Sequence, residues 1–366
     1  MEEPIQSKKA ARIRPATAQD AGAIRQVCAR NGMSDLDQAT WRECWEAYPF
    51  VDRFTDVPFG WVLETEAGEV VGNLTSVRLL YEWEGRRLRA CVASAWAVDP
   101  AHRGQSLSLT VAFFRQKNID LLLNVSASPS TARILTGMRI PRIPVPGYAT
   151  PCFWPVRHAA FVRAALLRRK IPCASLLARP AGWIMGSRDF LRRRTLGSPV
   201  SPVTRLPQFD DRFDTFWQEI ASGPPRLRAV RTRAVLEWRF RTELRRNRCA
   251  IVAAQQAGRL AGYAVLVRRR QDTGMELYDV ADLQAAGDDP AILRGLLLGS
   301  LDVAREEGAD AVKFMSGTPA KRSPADSLHP YTYNLPCWSL YYKAAASLAP
   351  SLGTADAWDF SVFDTW

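Results

Sequence analysis

The segment Arg103-Gly104-Gln105-Ser106-Leu107-Ser108 combines one cation with several small residues, a combination suited to binding phosphate. It lies where an apolar, strand-like run ending at Val98 gives way to a helix-like run. The first N–H groups of a helix lack intrahelical partners, so they attract phosphate oxygens, and small side chains let a phosphate approach that backbone. Arg103 adds a positive charge at the same place. The segment therefore predicts a site for an anion such as a pyrophosphate.

The pattern of apolar residues predicts the elements that position this segment. A strand begins at Ala11, and a helix follows with Ile24 and Val27 at helical spacing. Three antiparallel strands fill residues 60–98, with turns at Ala67-Gly68 and Glu84-Gly85. A helix over about 105–117, a buried strand over 120–128 and a helix over 129–137 complete the order β-α-β-β-β-α-β-α.

In this order of elements, the segment resembles the phosphate loop of the GCN5-related N-acetyltransferase (GNAT) superfamily, whose pattern is Arg/Gln-x-x-Gly-x-Gly/Ala. Arg103 matches the first position, and Ser106 and Ser108 stand at the two small positions. The run VDPAHRG, residues 98–104, is similar to the family's Val-x-Pro-x-x-Arg-Gly lead-in. The resemblance covers residues 11–140 and implies that acetyl-CoA or another acyl-CoA binds here as co-substrate.

The residues that the resemblance assigns to acyl-CoA lie on two sides of a gap between strands. In the family, the pantetheine chain lies where the strand before the loop and the next strand diverge, and it pairs with the backbone of the first strand. The implied set is Ala97 and Val98 on the first strand, Arg103, Gly104, Gln105, Ser106, Leu107 and Ser108 in the loop, and Asn124 and Ser126 on the opposite wall.

The resemblance also points to catalytic residues. Many GNAT proteins carry a tyrosine four residues before a Gly-Phe pair, and that tyrosine protonates the departing thiolate. Gly137-Met138 occupies the Gly-Phe place, so Arg133 stands where the tyrosine would be and would stabilise the thiolate electrostatically. Attack on a thioester needs a neutral amine, so a base is expected nearby. We choose Glu64 as this base, and the alternatives are Glu66, Glu82, Glu84 and Asp99.

The second half of the chain partly repeats the first. Residues 249–317 read as β-β-β-α-β, but Asp288 and Asp289 at the strand-to-helix joint would repel phosphate. We expect a mixed α/β fold of two tandem GNAT-like domains, of which the second is degenerate. The predicted limits are an acyl-CoA-binding domain over 1–150, a basic, helical and proline-rich connector over 151–202, and a domain without a phosphate loop over 203–366.

The composition narrows the classes of partner. The 366-residue chain has a formal net charge of +12 and a pI near 9.7, mostly from arginine, which favours phosphate- or carboxylate-bearing ligands. Seven scattered cysteines without a Cys-x-x-Cys pair signal neither disulfides nor a metal, and a cytoplasmic location fits. The basic helix predicted over 156–170 could touch a membrane surface, although packing within the protein is the commoner role of such a helix.

These observations predict an acyl-CoA-dependent N-acyltransferase, first of all an acetyltransferase, acting by direct transfer on the amine of a small metabolite or sugar. Two alternatives stay open. One is a transferase of the Fem type that uses aminoacyl-tRNA, which the positive charge supports. The other is a GNAT scaffold that binds a ligand or partner without catalysis, which the missing tyrosine and the serines in the loop support.

Overall fold

The computed structural model describes residues 11–33, 38–193, 203–335 and 339–365. These residues form two compact units, each built around its own sheet. Unit 1 takes the described residues of Met1–Ile143, Cys337–Gly353 and Thr365–Trp366. Unit 2 takes those of Pro144–Pro336 and Thr354–Asp364.

The elements are numbered along the chain. In the described residues the strands are β1 (Ala11–Pro15), β2 (Gly60–Thr65), β3 (Val70–Trp83), β4 (Arg86–Val98), β5 (Leu121–Ala127), β6 (Cys152–Pro155), β7 (Val203–Leu206), β8 (Arg228–Ala229), β9 (Cys249–Gln256), β10 (Arg259–Arg270), β11 (Glu276–Ala285), β12 (Ala311–Phe314), β13 (Tyr331–Thr332) and β14 (Ser339–Ala344). The α-helices there are α1 (Ala21–Arg30), α2 (Gln38–Glu46), α3 (Ser106–Phe114), α4 (Pro129–Gly137), α5 (His158–Arg168), α6 (Ala174–Arg193), α7 (Arg212–Ala221), α8 (Arg233–Arg245), α9 (Pro290–Glu306) and α10 (Pro319–Asp326).

Unit 1 contains a mixed sheet in the order β1-β2-β3-β4-β5-β14. Its neighbouring strands are antiparallel except β4 and β5, which are parallel. Parallel neighbours need a crossover connection, and α3 supplies it. This arrangement confirms the mixed α/β fold predicted from the sequence. Helix α2 is an addition that the sequence pattern did not predict.

Helices cover both faces of this sheet. Ile24 and Val27 of α1 lie in a buried cluster with Val62 of β2. On the other face, Phe113 of α3 contacts the neighbouring Trp61 of β2 edge-to-face, with ring centroids 6.2 Å apart. Successive strand residues point to opposite faces, so these contacts place α1 and α3 on opposite sides. This double covering explains why β3 is buried along nearly its whole length.

Strand β4 carries a bulge opposite β3. Asn73 pairs with Ala97 and Thr75 pairs with Ser94, so Leu74 alone faces the two residues Ala95 and Trp96. Ala95 has a φ of 45°, in the left-handed region that a residue with a Cβ adopts at a cost. The Asn73 side-chain amide donates to the Ala95 carbonyl and holds this conformation. The bulge turns the end of β4 away from the regular path of the sheet.

Unit 2 repeats part of this topology. Its sheet runs β13-β6-β12-β11-β10-β9-β7. Strands β9, β10 and β11 are antiparallel, and β11 pairs in parallel with β12 after the crossover helix α9. Strands β2 to β5 with α3 have the same order and directions in unit 1. We therefore keep the proposal of two tandem domains of one architecture.

The region 151–202, which the sequence analysis assigns to a connector, contains regular structure. Strand β6 pairs with β12 and β13, although prolines on both sides of it favour an irregular arm. Helices α5 and α6 follow and pack against each other within unit 2. Residues 194–202 lie outside the described part of the chain. Among the described residues, no helix combines the length and the apolar character needed to cross a membrane.

Candidate functional site

Strands β4 and β5 separate partway along their length. Four residue pairs join them, from Ala90 with Leu121 to Ala93 with Asn124. Beyond that pair β4 continues to Val98 and β5 continues to Ala127, and no further ladder pair joins these described residues. The two strand ends therefore border an open slot, which we call the β4/β5 gap.

A cavity of about 480 Å³ lies in this gap. Its walls come from β4, β5, the start of α4, and α1 and α2 with the residues next to them. The lining residues are Cys28, Met33, Trp41, Leu74, Ala93, Ser94, Ala95, Trp96, Asn124, Ser126, Ser128 and Thr131. The wall is thus apolar, with a few amide and hydroxyl groups, as is typical of sites for small organic ligands.

Asn124 lines this cavity and carries a hydrogen-bond acceptor that has no partner. Its side chain is 7% exposed, and its Oδ1 atom is buried without a hydrogen-bond partner. A buried carbonyl oxygen without a partner costs free energy in the folded protein, so such atoms need a reason. A ligand N–H group in the cavity would supply the missing donor. Asn124 is one of the residues that the sequence analysis assigns to acyl-CoA binding.

Ser126 and Ser128 continue the β5 side of the cavity. Ser126 is exposed, and Ser128 ends the strand as the N-cap of α4, where its Oγ accepts a hydrogen bond from the Thr131 N–H at 3.2 Å. This cap, followed by Pro129, fixes where α4 begins. The polar side of the cavity is therefore held by a well-defined strand-to-helix junction.

Cys28 is the titratable residue among the described cavity-lining residues. Its Sγ atom lies 3.8 Å from Nδ2 and 3.9 Å from Oδ1 of Asn73. Burial raises the pKa of the Cys28 thiol, so the thiol form predominates at neutral pH. The described part of the cavity wall therefore contains no carboxylate or imidazole that could act as a base.

The loop predicted to bind phosphate forms a short 3-10 helix, Pro100–Gln105, that leads directly into α3. Arg103 and Gly104 are exposed, and nothing lies within 4 Å of the position that a Cβ atom on Gly104 would take. Leu107 is 48% exposed. The corner is therefore open to solvent on the side that a ligand would approach.

The hydroxyl groups of the two loop serines donate to backbone carbonyls that precede them in the chain. The Ser106 hydroxyl donates to the Arg103 carbonyl at 2.8 Å, and the Ser108 hydroxyl donates to the Gln105 carbonyl. The Ser106 N–H also donates to the Arg103 carbonyl. Gln105 anchors the loop, because its side-chain amide donates to the Ala11 carbonyl at 2.8 Å. The serine side chains thus bond within the loop, and the first turn of α3 begins beside them.

Ala97 and Val98 lie between the cavity and this loop. Both are buried, at 4% and 7% exposure, and they pair with β3 on one side. The cavity wall reaches Trp96, so these two residues continue the β4 edge from the cavity towards the loop. The structure brings Asn124 and Ser126 together at the cavity, while the loop residues lie further along the same strand-to-helix connection.

Glu64, the base chosen from the sequence, does not line the cavity in the β4/β5 gap. It lies on β2, three residues beyond Trp61, which pairs with Leu74 at the bulge. Its carboxylate accepts hydrogen bonds from Arg12 at 2.8 Å and from Arg14 at 2.9 Å. These two guanidinium groups, Arg14 first, lower the pKa of Glu64. An ion-paired carboxylate with a lowered pKa is a poor proton acceptor.

Arg133 and the alternative bases also lie outside the cavity lining. Arg133 is exposed on α4, one turn beyond its start. Asp99 is held by Arg30 at 2.7 Å and by Asn31 at 2.9 Å. The carboxylates of Glu66, Glu82 and Glu84 belong to other parts of unit 1. Of the residues assigned from the sequence, Asn124 and Ser126 line the cavity, whereas Glu64 and Arg133 are not among its described lining residues.

The corresponding joint in unit 2 is closed to anions by its own carboxylates. Asp289 is the N-cap of α9, and its Oδ1 accepts from the Ala291 N–H at 2.8 Å and the Ile292 N–H at 3.3 Å. Asp288 pairs with Arg226. A phosphate would have to displace these bonds and would meet two negative charges.

Unit 2 also fills the space beside its β11 bulge with a buried ionic network. One extra residue, Ala281, interrupts the register between β10 and β11, and Asp282 follows it. Asp282 accepts hydrogen bonds from Arg231 at 2.9 Å and from the Tyr263 hydroxyl at 2.9 Å. The network continues through cations and carboxylates that are all at most 5% exposed: Arg228, Arg231, Lys321, Asp282, Asp359 and Asp364.

Comparison with solved structures identifies the fold. The chain matches the GCN5-related N-acetyltransferase from Kribbella flavida with a TM-score of 0.57 and 16% identity, over 94% of this chain and 73% of that one. It matches the corresponding protein from Anabaena variabilis with a TM-score of 0.54 and 12% identity, over 91% and 72%. It also matches the Saccharomyces cerevisiae N-myristoyltransferase with bound myristoyl-CoA, with a TM-score of 0.54 and 10% identity, over 94% and 82%.

The protein therefore has the GNAT fold, as the sequence resemblance implies. The similarity spans more than nine tenths of this chain in each of these comparisons. Comparisons with protein-family models and with curated proteins found no match. At identities of 10–16%, these comparisons show the fold alone, so the function is argued from the site.

Proposed function

We propose that the protein is an acyl-CoA-dependent N-acyltransferase that transfers an acyl group, most simply acetyl, to the amine of a small metabolite or sugar. The observation that carries this proposal is the β4/β5 gap. Its ladder ends at Ala93 and Asn124, it contains a cavity of about 480 Å³, and the lining residue Asn124 carries a buried side-chain oxygen without a hydrogen-bond partner. The GNAT fold, which acyltransferases of known structure share, supports the same conclusion.

The residues present fit an acyl-CoA molecule in three respects. An unpaired strand edge at 94–98 offers backbone groups to the amides of the pantetheine chain. The Asn124 Oδ1 atom offers an acceptor to a pantetheine N–H. At the open corner, Arg103 offers a positive charge to the pyrophosphate, and α3 offers the positive end of its helix dipole. The Ser106 N–H itself is already bonded to the Arg103 carbonyl. We therefore propose that the ligand extends from the cavity along residues 97–98 to the start of α3.

In the proposed reaction, the acceptor amine attacks the thioester carbonyl directly in a ternary complex. The new C–N bond forms, the C–S bond breaks, and the thiolate leaves with the electron pair of that bond. Backbone N–H groups of residues 97–98 would polarise the carbonyl oxygen. Because the described cavity wall holds no carboxylate or imidazole, the amine proton passes to solvent, and the thiolate takes its proton from solvent.

A substitution that blocks the β4/β5 gap tests this proposal. Ser126 is exposed and lines the cavity, so Ser126→Trp fills the gap without disturbing the buried core. Ser351→Trp is the matched control, because Ser351 is exposed in the same unit but outside the cavity. We expect Ser126→Trp to weaken acetyl-CoA binding by about tenfold or more in isothermal titration, and the control to bind like the parent protein.

Transfer itself is measured by thiol release with a panel of amines and acyl-CoA chains of different length. The proposal fails if the protein binds no acyl-CoA, or if both tryptophan variants bind it equally well. Binding of tRNA that weakens steeply with salt, with no acyl-CoA binding, would favour the aminoacyl-tRNA alternative. Tight acyl-CoA binding without release of thiol for any acceptor would favour a ligand-binding scaffold.

A further inference from the structure

Helix α6 exposes a row of large apolar side chains. Leu176 and Trp183 are 76% and 75% exposed, and Ile184, Phe190 and Leu191 are each exposed by 64% or more. With Leu177 they form three adjacent pairs that repeat every seven residues, which is close to two helical turns, so they lie on one face of the helix. We call this row the α6 stripe. Contiguous exposed apolar surface of this kind marks an interaction site.

The opposite face of α6 explains why the large residues remain outside. Ala174, Ala178 and Gly182 are buried on that face. A Cβ atom on Gly182 would lie 2.6 Å from the Cα atom of Ala159 in α5, so the two helices approach too closely for a larger residue. Small residues thus make the packing contacts with α5, and the large apolar side chains of the α6 stripe remain exposed.

The exposed charge of α5 and α6 is strongly positive. The exposed basic side chains between residues 158 and 192 are Arg163, Arg168, Arg169, Lys170, Arg179, Arg188 and Arg192. The acidic residue in that range is Asp189, which is 5% exposed and bonds to His158 at 2.9 Å and to the Tyr331 hydroxyl at 2.8 Å. Helical geometry places Arg179 and Arg188 on the two flanks of the α6 stripe.

We propose that α5 and α6 dock this protein onto an anionic phospholipid surface. The α6 stripe enters the boundary between headgroups and acyl chains, and the flanking arginines bind lipid phosphates. An apolar face with tryptophan and phenylalanine, bordered by basic residues, is the composition of helices that lie in a membrane interface. The four arginines of α6 exclude a buried transmembrane position, so the helix lies on the bilayer.

Charge selects the bilayer over a second copy of the chain. A symmetric contact between two α6 stripes would bring two clusters of arginine together, and like charges at an interface oppose association. An anionic bilayer offers negative charge at the depth where the arginines lie and apolar chains below it. This inference rests on α5 and α6 and is independent of the proposed acyl transfer.

Vesicle flotation with the full chain tests the inference. The probes are vesicles of phosphatidylcholine alone and vesicles with roughly one third phosphatidylglycerol. We expect binding to the anionic vesicles, little binding to the neutral ones, and weaker binding as salt rises. The double variant Trp183→Gln/Phe190→Gln should weaken binding to anionic vesicles by about tenfold or more.

Two matched variants act as controls. Ile13→Gln removes an apolar side chain that is 37% exposed in unit 1, and Arg115→Glu reverses an exposed charge there. Both should bind vesicles like the parent protein, whereas Arg179→Glu/Arg188→Glu should not. Circular dichroism checks that each variant is folded. No binding of the parent protein to anionic vesicles overturns the inference. Equal binding by the Trp183→Gln/Phe190→Gln variant, or a dimer in solution that this variant dissociates, also overturns it.

Discussion

Replacement of Asn124 by leucine should stabilise the protein and weaken its affinity for acyl-CoA. The two effects have opposite signs because the Oδ1 atom of Asn124 is buried without a partner in the ligand-free protein. A buried acceptor without a partner costs about 1–3 kcal/mol. Leucine has a similar size and no such atom, so the variant avoids this cost and buries additional apolar surface.

The expected magnitudes follow from these terms. A gain of 1–3 kcal/mol corresponds to a rise in Tm of roughly 2–10 °C for a domain of this size. Loss of a hydrogen bond from a pantetheine N–H should weaken acetyl-CoA binding by roughly tenfold, because that N–H would then be buried without an acceptor. Differential scanning calorimetry measures the first quantity, and isothermal titration measures the second.

Asn73→Leu is the matched control. Asn73 is also a buried asparagine on a strand of unit 1, but its side-chain amide donates to the Ala95 carbonyl. Its replacement leaves that carbonyl without its donor, so Tm should fall. The reasoning is refuted if Asn124→Leu lowers Tm as Asn73→Leu does, because Asn124 would then be a structural residue.

Four further predictions concern the loop, Cys28 and the buried ionic network. Arg103→Glu should raise the dissociation constant of acetyl-CoA by about tenfold or more, because a cation near the phosphates becomes an anion. Unchanged affinity in isothermal titration would contradict the assignment of Arg103 to phosphate binding. Incubation with acetyl-CoA in the absence of an acceptor should leave the intact mass of the protein unchanged. Burial raises the pKa of the Cys28 thiol, and direct transfer needs no acyl-cysteine intermediate. A covalent acetyl group on Cys28 would refute direct transfer. Burial opposes the ionisation of Asp359, but Lys321, Arg231 and Arg228 outweigh it and lower its pKa in the folded protein. Its stabilising contribution is therefore complete above the pKa of the unfolded chain, near 3.8, and is lost as the pH falls below that value, which urea unfolding at a series of pH values measures. Lys321→Met should cost about 3–5 kcal/mol at neutral pH, because it leaves the buried network with one more carboxylate than cations. A neutral effect of this variant would contradict the network.

Local sequence patterns predicted the order of elements along residues 11–137, including the helix α3 between β4 and β5. The turns at Gly68 and Gly85 were predictable because both glycines adopt a positive φ, at 79° and 74°. The relation of Asn124 to the β4/β5 gap followed from the family resemblance. Its unsatisfied oxygen did not, because whether a buried atom has a partner depends on neighbours that are distant in sequence.

Long-range partners explain what the sequence did not predict. Glu64 was a reasonable base by type, but Arg12 and Arg14 on the neighbouring strand make it an ion-paired group. The strand at Cys152–Pro155 was obscured by flanking prolines, since its pairing partner, β12, lies more than 150 residues later. The sequence also did not predict the exposed apolar face of α6, because periodicity shows that a helix has an apolar face but not which face packs.

A crystal structure of the protein with acetyl-CoA tests the central claim most directly. The account predicts that the pantetheine chain lies in the β4/β5 gap between residues 93–98 and Asn124, with the Asn124 Oδ1 atom accepting a hydrogen bond from it. It also predicts that the pyrophosphate lies at Arg103 and the first turn of α3. Acetyl-CoA bound elsewhere, or β4 and β5 paired beyond Ala93 and Asn124 so that the gap is closed, would contradict the account.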